Sequence, residues 1–334
     1  MENKILMAHG SGGKLTHELI NRCFAGRFKN QWLARLDDAA VIDSCGRMAF
    51  TTDSYVVTPL IFPGGDIGKL AVCGTVNDLA VSGAVPQFLS LAFIIEEGFP
   101  VADLEKIVDS VAMAAGEAGV HVVTGDTKVV QRGKADGLFI NTAGIGHILD
   151  GIDVSGANVK PGDAVILSGT VGDHGMAIMA QREGLRFSGD IFSDCAPLNE
   201  LTADILKVCS ETRCMRDPTR GGVATTLNEI AGQSKVGMLI DDGAVPVRPS
   251  VRATCELLGL DPLYIANEGK LLAFVPAEKA DAVLETMHRH RYGGDAAIIG
   301  RVTDEHPGRV VLRTRLGTSR ILVMLSGDIL PRIC

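Results

Sequence analysis

Short apolar runs alternate with stripes of helical period along the whole chain, and that alternation most limits what it can become. A chain built this way folds as layers of helix on sheet. Residues 66–83 set Ile67, Leu70, Ala71 and Gly74 at i, i+3, i+4 and i+7. Residues 103–116 carry a continuous stripe of Leu104, Ile107, Val108, Val111, Ala112 and Ala115, so both segments predict amphipathic helices. Around them Met48–Thr52, Gln87–Ile95, Val120–Thr124 and Gly137–Ile148 have the β-branched, bounded character of strands. Turn formers then crowd together at Asp150-Gly151, Ser155-Gly156 and Pro161-Gly162-Asp163, which predicts a domain boundary near residue 150. The pattern restarts with a strand at Ala164–Ser168. Helices are expected near 174–184, 198–210, 221–232 and 277–290, and strands at Gly237–Ile240, Lys270–Val275, Ala296–Val302 and Arg309–Arg313. The expected fold is α/β followed by α+β, with 334 residues sufficient for two domains. Divisions are expected at 1–150, 151–320 and 321–334. Pro331 near the end makes the last residues an expected extended, mobile tail.

Composition removes several classes of function. The net charge of −8 does not attract a phosphate backbone, and only 4% of residues are aromatic, too few for base-stacking platforms. No apolar run approaches the roughly 18 residues of a membrane span, and the N-terminus lacks a secretory signal, so a cytoplasmic location is expected. The 8 cysteines form no CxxC pair, which leaves neither a zinc site nor a disulfide framework indicated. Cys334 is set apart because it is the final residue. Glycine is in excess at 39 residues, a composition that allows tight turns and close backbone approach to a ligand.

Polar, glycine-containing islands interrupt the apolar pattern. His9-Gly10-Ser11-Gly12-Gly13-Lys14 resembles a phosphate loop but departs from the Walker A template at Ala8 and Leu15. Asp37-Asp38, Asp53, Asp78 and Asp217 each stand at a strand end or beside a long apolar stretch. Singly each suits a helix cap or a turn. Brought together they would repel by about 4 kcal/mol per close pair at an effective dielectric of 20, so convergence requires a cation. An all-oxygen set favours Mg²⁺, which typically bridges carboxylates to substrate phosphates. Gly125-Asp126-Thr127-Lys128 has the place of a functional loop leaving a strand. Ala266-Asn267-Glu268-Gly269-Lys270 opens another strand, either as a surface turn with an ion pair or as a site. From the residues alone the pattern points to a Mg-nucleotide enzyme.

The islands DDAAV (37–41), TTDS (51–54), TVNDLAVSGA (75–84), GDTKV (125–129) and RDPTRGG (216–222) resemble, in order, those of the ATP-dependent synthetases grouped with aminoimidazole ribonucleotide (AIR) synthetase and selenophosphate synthetase. Within that group HGSGGKL (9–15), IANEGKL (265–271) and the terminal PRIC (331–334) resemble the HypE family of carbamoyl dehydratases of hydrogenase maturation. The resemblance implies a two-domain AIR synthetase-like fold whose N-terminal domain forms a homodimer, with ATP in the cleft between the domains. It implies dehydration of a carbamoyl group on Cys334 to thiocyanate, the source of an iron-bound cyanide in [NiFe]-hydrogenase. A HypF-like carbamoyltransferase would load the cysteine, and a HypC–HypD-like complex would accept the cyanide. Matching motifs assign Asp38, Asp53, Asp78 and Asp217 to Mg²⁺, with Asp37 a substitute for Asp38. Gly12, Gly13, Lys14, Asp37, Asn77 and Asp126 are assigned to ATP, Lys128 to charge stabilisation and Glu268 to proton removal.

Two rival functions follow from the same residues. A selenophosphate synthetase-like enzyme needs a reactive cysteine near the N-terminal glycine loop, where this chain has His9 and Ser11 and where the first cysteine is Cys23. A non-catalytic carrier would use Cys334 only to hold a group made elsewhere. If Cys334 is loaded by a partner and dehydrated against ATP, the tail must alternate between an exposed and an inserted state, and residues 327–334 can span at most about 28 Å.

Overall fold

The computed structural model describes residues 4–10, 14–30, 46–184, 191–324 and 332–334. In the first half, a short helix α1 (Lys14–Leu19) precedes β1 (Met48–Tyr55), the small ribbon β2 (Ile61–Phe62) and β3 (Gly65–Asp66), and helix α2 (Ile67–Val81). Strand β4 (Ala84–Glu96), helix α3 (Val101–Ala118), β5 (His121–Val130) and β6 (Leu138–Ile148) complete it. The strands form a sheet in the order β1-β6-β4-β5, antiparallel except for β4 and β5, which run parallel across the α3 crossover.

Each element has a local cause. Asp66 caps α2 by accepting the Gly68 and Lys69 N–H groups at 2.8 and 3.0 Å. The predicted α3 stripe is buried apart from Ala112, which is partly so, and Gly119, at φ 68, closes the helix in the left-handed conformation. α2 is buried nearly all round, because the sheet, α3 and the second half of the molecule all pack on it. One strand differs from expectation. Gly125-Asp126-Thr127-Lys128 lies inside β5 rather than in a loop after it. A Cβ at Gly125 would lie 2.3 Å from the Leu91 carbonyl oxygen, so this glycine permits close strand approach instead of a turn.

The second half contains β7 (Ala164–Leu167), α4 (Asp173–Arg182), α5 (Asn199–Val208), β8 (Cys214–Arg216), α6 (Gly222–Ser234) and β9 (Gly237–Asp241). Helix α7 (Pro249–Leu258), β10 (Leu272–Val275), α8 (Ala280–Arg289), β11 (Ala297–Thr303), β12 (Val310–Arg313) and β13 (Ser319–Leu322) follow. Its sheet runs β13-β12-β9-β11-β7-β10-β8. The interior strand β7 is buried on both faces. Val165 and Leu167 join a core with α6, while Ala164 and Ile166 join one with α5 and α8. The end of the chain is docked rather than free: Ile333 is 4% exposed and belongs to the core of the first half. Among the described residues, no helix is long and apolar enough to cross a membrane.

Candidate active site

Where β1 and α2 face the second half, a cavity of about 400 Å³ opens, lined by Thr51, Asp53, Asp78, Asp217, Arg220, Glu268 and Cys334. Side-chain alternation along β1 turns Thr51, Asp53 and Tyr55 toward α2. Asp78 accepts the Thr51 hydroxyl at 2.8 Å. Asp53 accepts the Arg220 guanidinium at 2.9 Å and the Ser54 N–H at 3.0 Å. Asp217 enters from the loop after β8 and Glu268 from the segment before β10.

These acids are electrostatically frustrated. Burial pushes the Asp217 carboxyl up to about 7, with Asp78 adding repulsion. Asp78 is raised by burial and by Asp53. Glu268 is only 2% exposed, and burial raises it well above the ordinary glutamate range, with Asp217, Asp194 and Asp53 adding to the effect. Among the described residues its Oε1 has no hydrogen-bond partner. Glu268 is therefore no surface turn, and Lys270 pairs with Asp194 at 3.3 Å rather than with it. Gly269 is required here because a Cβ would fall 1.7 Å from the Asp194 carbonyl oxygen.

Among the described residues, no three His, Cys, Asp or Glu side chains are grouped closely enough to ligate one ion by themselves. The donor set is nonetheless suited to Mg²⁺, which keeps waters and takes one or two carboxylates plus phosphate oxygens. The raised Asp78 and Asp217 carboxyls are the feature a dication would relieve.

Cys334 sits in the same cavity, beside Arg220 and Glu268. Burial, reinforced by Glu268, pushes its thiol up to about 12 against the opposing pull of Arg220. The docked thiol is thus protonated and a poor nucleophile. Arg220 was not singled out from the sequence, although it lies in the RDPTRGG island; only the fold brings it to both Asp53 and Cys334.

The remaining expected site residues lie elsewhere. Asn77 does not line the cavity. Its amide donates to the Ala196 and Glu268 carbonyls at 3.1 and 3.2 Å and accepts the Leu198 N–H at 2.8 Å, which ties α2 to the Glu268 segment. Asp126 and Lys128 are exposed on β5, across the sheet from β1. Asp53 aligns through Thr142 and Leu91 with Gly125, so Lys128 and Asp126 project from the opposite face, three strand spacings or about 14 Å away. Within one chain they cannot reach the cavity. Gly12, Gly13, Asp37 and Asp38 lie outside the described residues, as does the Lys14 side chain. His9 turns away, its Nδ1 accepting the Leu6 N–H at 2.9 Å. Cys23 is buried and burial pushes its thiol up to about 11, which removes the reactive cysteine a selenophosphate synthetase-like mechanism requires.

Residues 36–148 match the N-terminal domain, and residues 160–313 the C-terminal domain, of the AIR synthase related proteins. The chain is 56% identical to carbamoyl dehydratase HypE of Rhizobium leguminosarum bv. viciae, over 99% of this chain and 95% of that protein. It superimposes on a crystal structure of hydrogenase maturation protein HypE in complex with ATP with a TM-score of 0.96 and 51% identity, covering 98% of this chain and 99% of the other. A HypE chain from a HypE–HypF complex gives 0.82 and 52%, covering 94% and 100%.

Proposed function

The chain belongs to the HypE family of carbamoyl dehydratases within the AIR synthase related proteins, and from that premise we propose how its residues carry out the reaction. It is an ATP-dependent dehydratase of hydrogenase maturation. The observation that carries the residue-level account is the meeting of Cys334, the final residue, with the buried Glu268 carboxyl, whose Oε1 has no partner among the described residues, in an acid-lined cavity.

The group to be dehydrated is an S-carbamoyl on Cys334. Its oxygen attacks the γ-phosphorus of ATP and the bond to ADP breaks. One N–H proton leaves, the C–O bond breaks to release phosphate, and loss of the second N–H proton leaves S–C≡N. Oxygen is a poor leaving group from an amide and a good one as phosphate, which is what the ATP supplies. Glu268, as carboxylate, takes a proton from nitrogen, and its raised proton affinity suits that role. Asp53, Asp78 and Asp217, with Asp37 or Asp38, would hold Mg²⁺, which would supply neutralisation of phosphate charge. Gly12, Gly13 and Lys14 serve ATP or guide the tail.

We divide the chain into an ATP-binding and dimerising unit at 1–150, a second unit at 151–320 and a tail at 321–334. The uncovered face of the first sheet presents Phe50, 71% exposed, with Ile94, Asp126 and Lys128, and is the surface by which two copies pair. A role for Lys128 in charge stabilisation, or for Asp126 at ATP, then depends on what pairing brings near it. The docked thiol, held near 12, cannot itself be loaded, so a HypF-like carbamoyltransferase meets the tail released. A HypC–HypD-like complex then takes the cyanide, in the ATP-rich cytoplasm. Incubation with carbamoyl donor and ATP, followed by intact mass of the C-terminal peptide, tests the reaction. Gain of a carbamoyl group and then loss of one water is expected, and a carbamoylated peptide that never loses water leaves only a carrier.

A further inference from the structure

One helix grips the end of the chain from both of its own ends. His174, in the first turn of α4, is fully buried, with Nδ1 2.8 Å from Ser193 Oγ and Nε2 2.9 Å from the Ile333 carbonyl oxygen. A carbonyl oxygen only accepts, so Nε2 carries the ring proton. Ser193 Oγ already accepts the Cys195 N–H at 3.1 Å, which leaves its own proton for Nδ1 and fixes that tautomer. Burial lowers the His174 pKa and keeps the ring neutral. The ring meets Phe62 edge-on, with centroids 5.5 Å apart.

At the last turn of α4, Arg182 donates to the Arg332 carbonyl at 2.8 Å and to the Thr58 carbonyl at 2.7 and 3.1 Å. The Thr58 N–H donates to the same Arg332 carbonyl at 3.2 Å. Arg332 has φ 58, a left-handed conformation unfavourable for a residue with a Cβ, and the two donors on its carbonyl hold that turn in place. The two carbonyls that immediately precede Cys334 therefore each meet a fixed donor.

We infer that His174 and Arg182 form a main-chain latch that positions Cys334 against Glu268, with Ser193 setting the tautomer that lets His174 hold. These are positioning residues: His174 and Arg182 hold the tail through its main chain, and Ser193 acts through His174. Because the latch grips carbonyls and not side chains, it holds the tail whether or not the cysteine is carbamoylated, and it must open for loading. The inference rests on Cys334 being the loaded residue, and its labelling test needs neither ATP nor a carbamoyl donor.

The full chain is labelled with N-ethylmaleimide, and modification of Cys334 is followed by mass spectrometry of the C-terminal peptide. His174→Phe keeps a ring but removes both nitrogens, and should label about tenfold faster, near the upper limit for one neutral hydrogen bond. Dehydration should slow by a similar factor with KM for ATP unchanged. His174→Gln, whose amide nitrogen falls near the Nε2 position, should recover labelling to within about threefold of wild type. Ser193→Ala leaves the imidazole in place and should label about threefold faster, which keeps the test open if His174→Phe fails to fold. Labelling of the buried Cys209 and Cys255 should stay unchanged, whereas a general loosening of the fold would raise it. Wild-type labelling of Cys334 in His174→Phe, or in Ser193→Ala where His174→Phe does not fold, overturns the latch. If the wild-type chain fails to dehydrate while these labelling differences persist, the catalytic account falls and the latch stands.

Discussion

Two groups of buried acids lie close together in this molecule, and they differ in whether a cation is paired with them. Asp173 and Asp194, at the start of α4 and in the segment before α5, have side chains only 2% and 3% exposed. Each has a cation: Arg248 at 3.3 Å from Asp173 and Lys270 at 3.3 Å from Asp194. Asp217 and Glu268 are comparably buried, at 9% and 2%, and neither has an ion-pair partner described for it. Burying an unpaired carboxylate costs several kcal/mol, so a fold retains one only where something outside the chain completes it or where its raised proton affinity is used. The paired acids build the wall, and the unpaired ones face the chemistry.

The strongest ways to break this contrast remove the groups that each set of acids serves. Cys334→Ala should abolish thiocyanate formation while leaving ATP binding and the melting temperature intact. Glu268→Gln should lower the dehydration rate by about 10²–10⁴, the usual worth of a positioned base. Because the change removes a buried carboxyl among negative neighbours, thermal stability should stay level or rise. Single-turnover mass spectrometry and a thermal melt on the same sample decide it, and a variant both active and destabilised would make Glu268 structural.

Lys270→Met tests the other group. It strands Asp194 without its cation, and breaking a buried pair from one side typically costs about 3–5 kcal/mol. Urea denaturation should show that loss, and Asp194→Asn added to Lys270→Met should recover a large part of it. A loss under about 1 kcal/mol would place this pair with the solvent-screened ones.

Much of the scaffold was legible because periodicity is a local property. The α3 stripe, the β6 alternation and the all-buried β7 follow from which side chains recur every 3.6 or 2 residues. β5 was cut short because Gly125-Asp126-Thr127 has turn composition, yet parallel pairing with β4 holds it extended. α7 was missed despite Pro249 at its start and Gly259 at its end, which are its only clear boundary marks. The acids of the cavity were legible as polar islands in apolar surroundings. That Glu268 is buried was not, because Asn267, Gly269 and Lys270 beside it give the segment the composition of a surface turn. Arg220, His174, Arg182 and Ser193 were illegible for a different reason. Each acts on a partner far along the chain, such as Asp53 for Arg220 or Ile333 for His174, and no sequence period carries that information.

The raised Asp217 carboxyl sharpens the contrast through pH. Its pKa of about 7 in the folded chain exceeds the ordinary 3.8, so the native state holds a proton that the unfolded chain releases. Its contribution to stability is complete below about pH 4 and is lost as pH rises to about 7, at most about 4 kcal/mol. Denaturation midpoints between pH 4 and 8 should fall accordingly, Asp217→Asn should flatten the decline, and millimolar Mg²⁺ should oppose it at the upper end. A midpoint that rises over this range in wild type, with no response to Asp217→Asn, would show that this acid is already compensated.

The smallest effect comes from Arg220, a pairing that resembles the Lys270–Asp194 pair on paper and differs from it in solvent exposure. Its guanidinium lies 2.9 Å from Asp53, a tighter approach than Lys270 makes to Asp194. The Arg220 side chain, however, is 75% exposed, against 12% for Lys270. Water and salt therefore screen the attraction, and exposed pairs of this kind are worth under about 1 kcal/mol. Arg220→Ala should shift the denaturation midpoint by no more than that, and the shift should vanish in about 1 M salt, where the Debye length shrinks to about 3 Å. The Lys270→Met loss should survive the same salt, because its charges are shielded by protein rather than by ions. A salt-resistant loss of several kcal/mol in Arg220→Ala would mean that exposure does not separate the two kinds of pair, and that Arg220 is as much a part of the wall as Lys270.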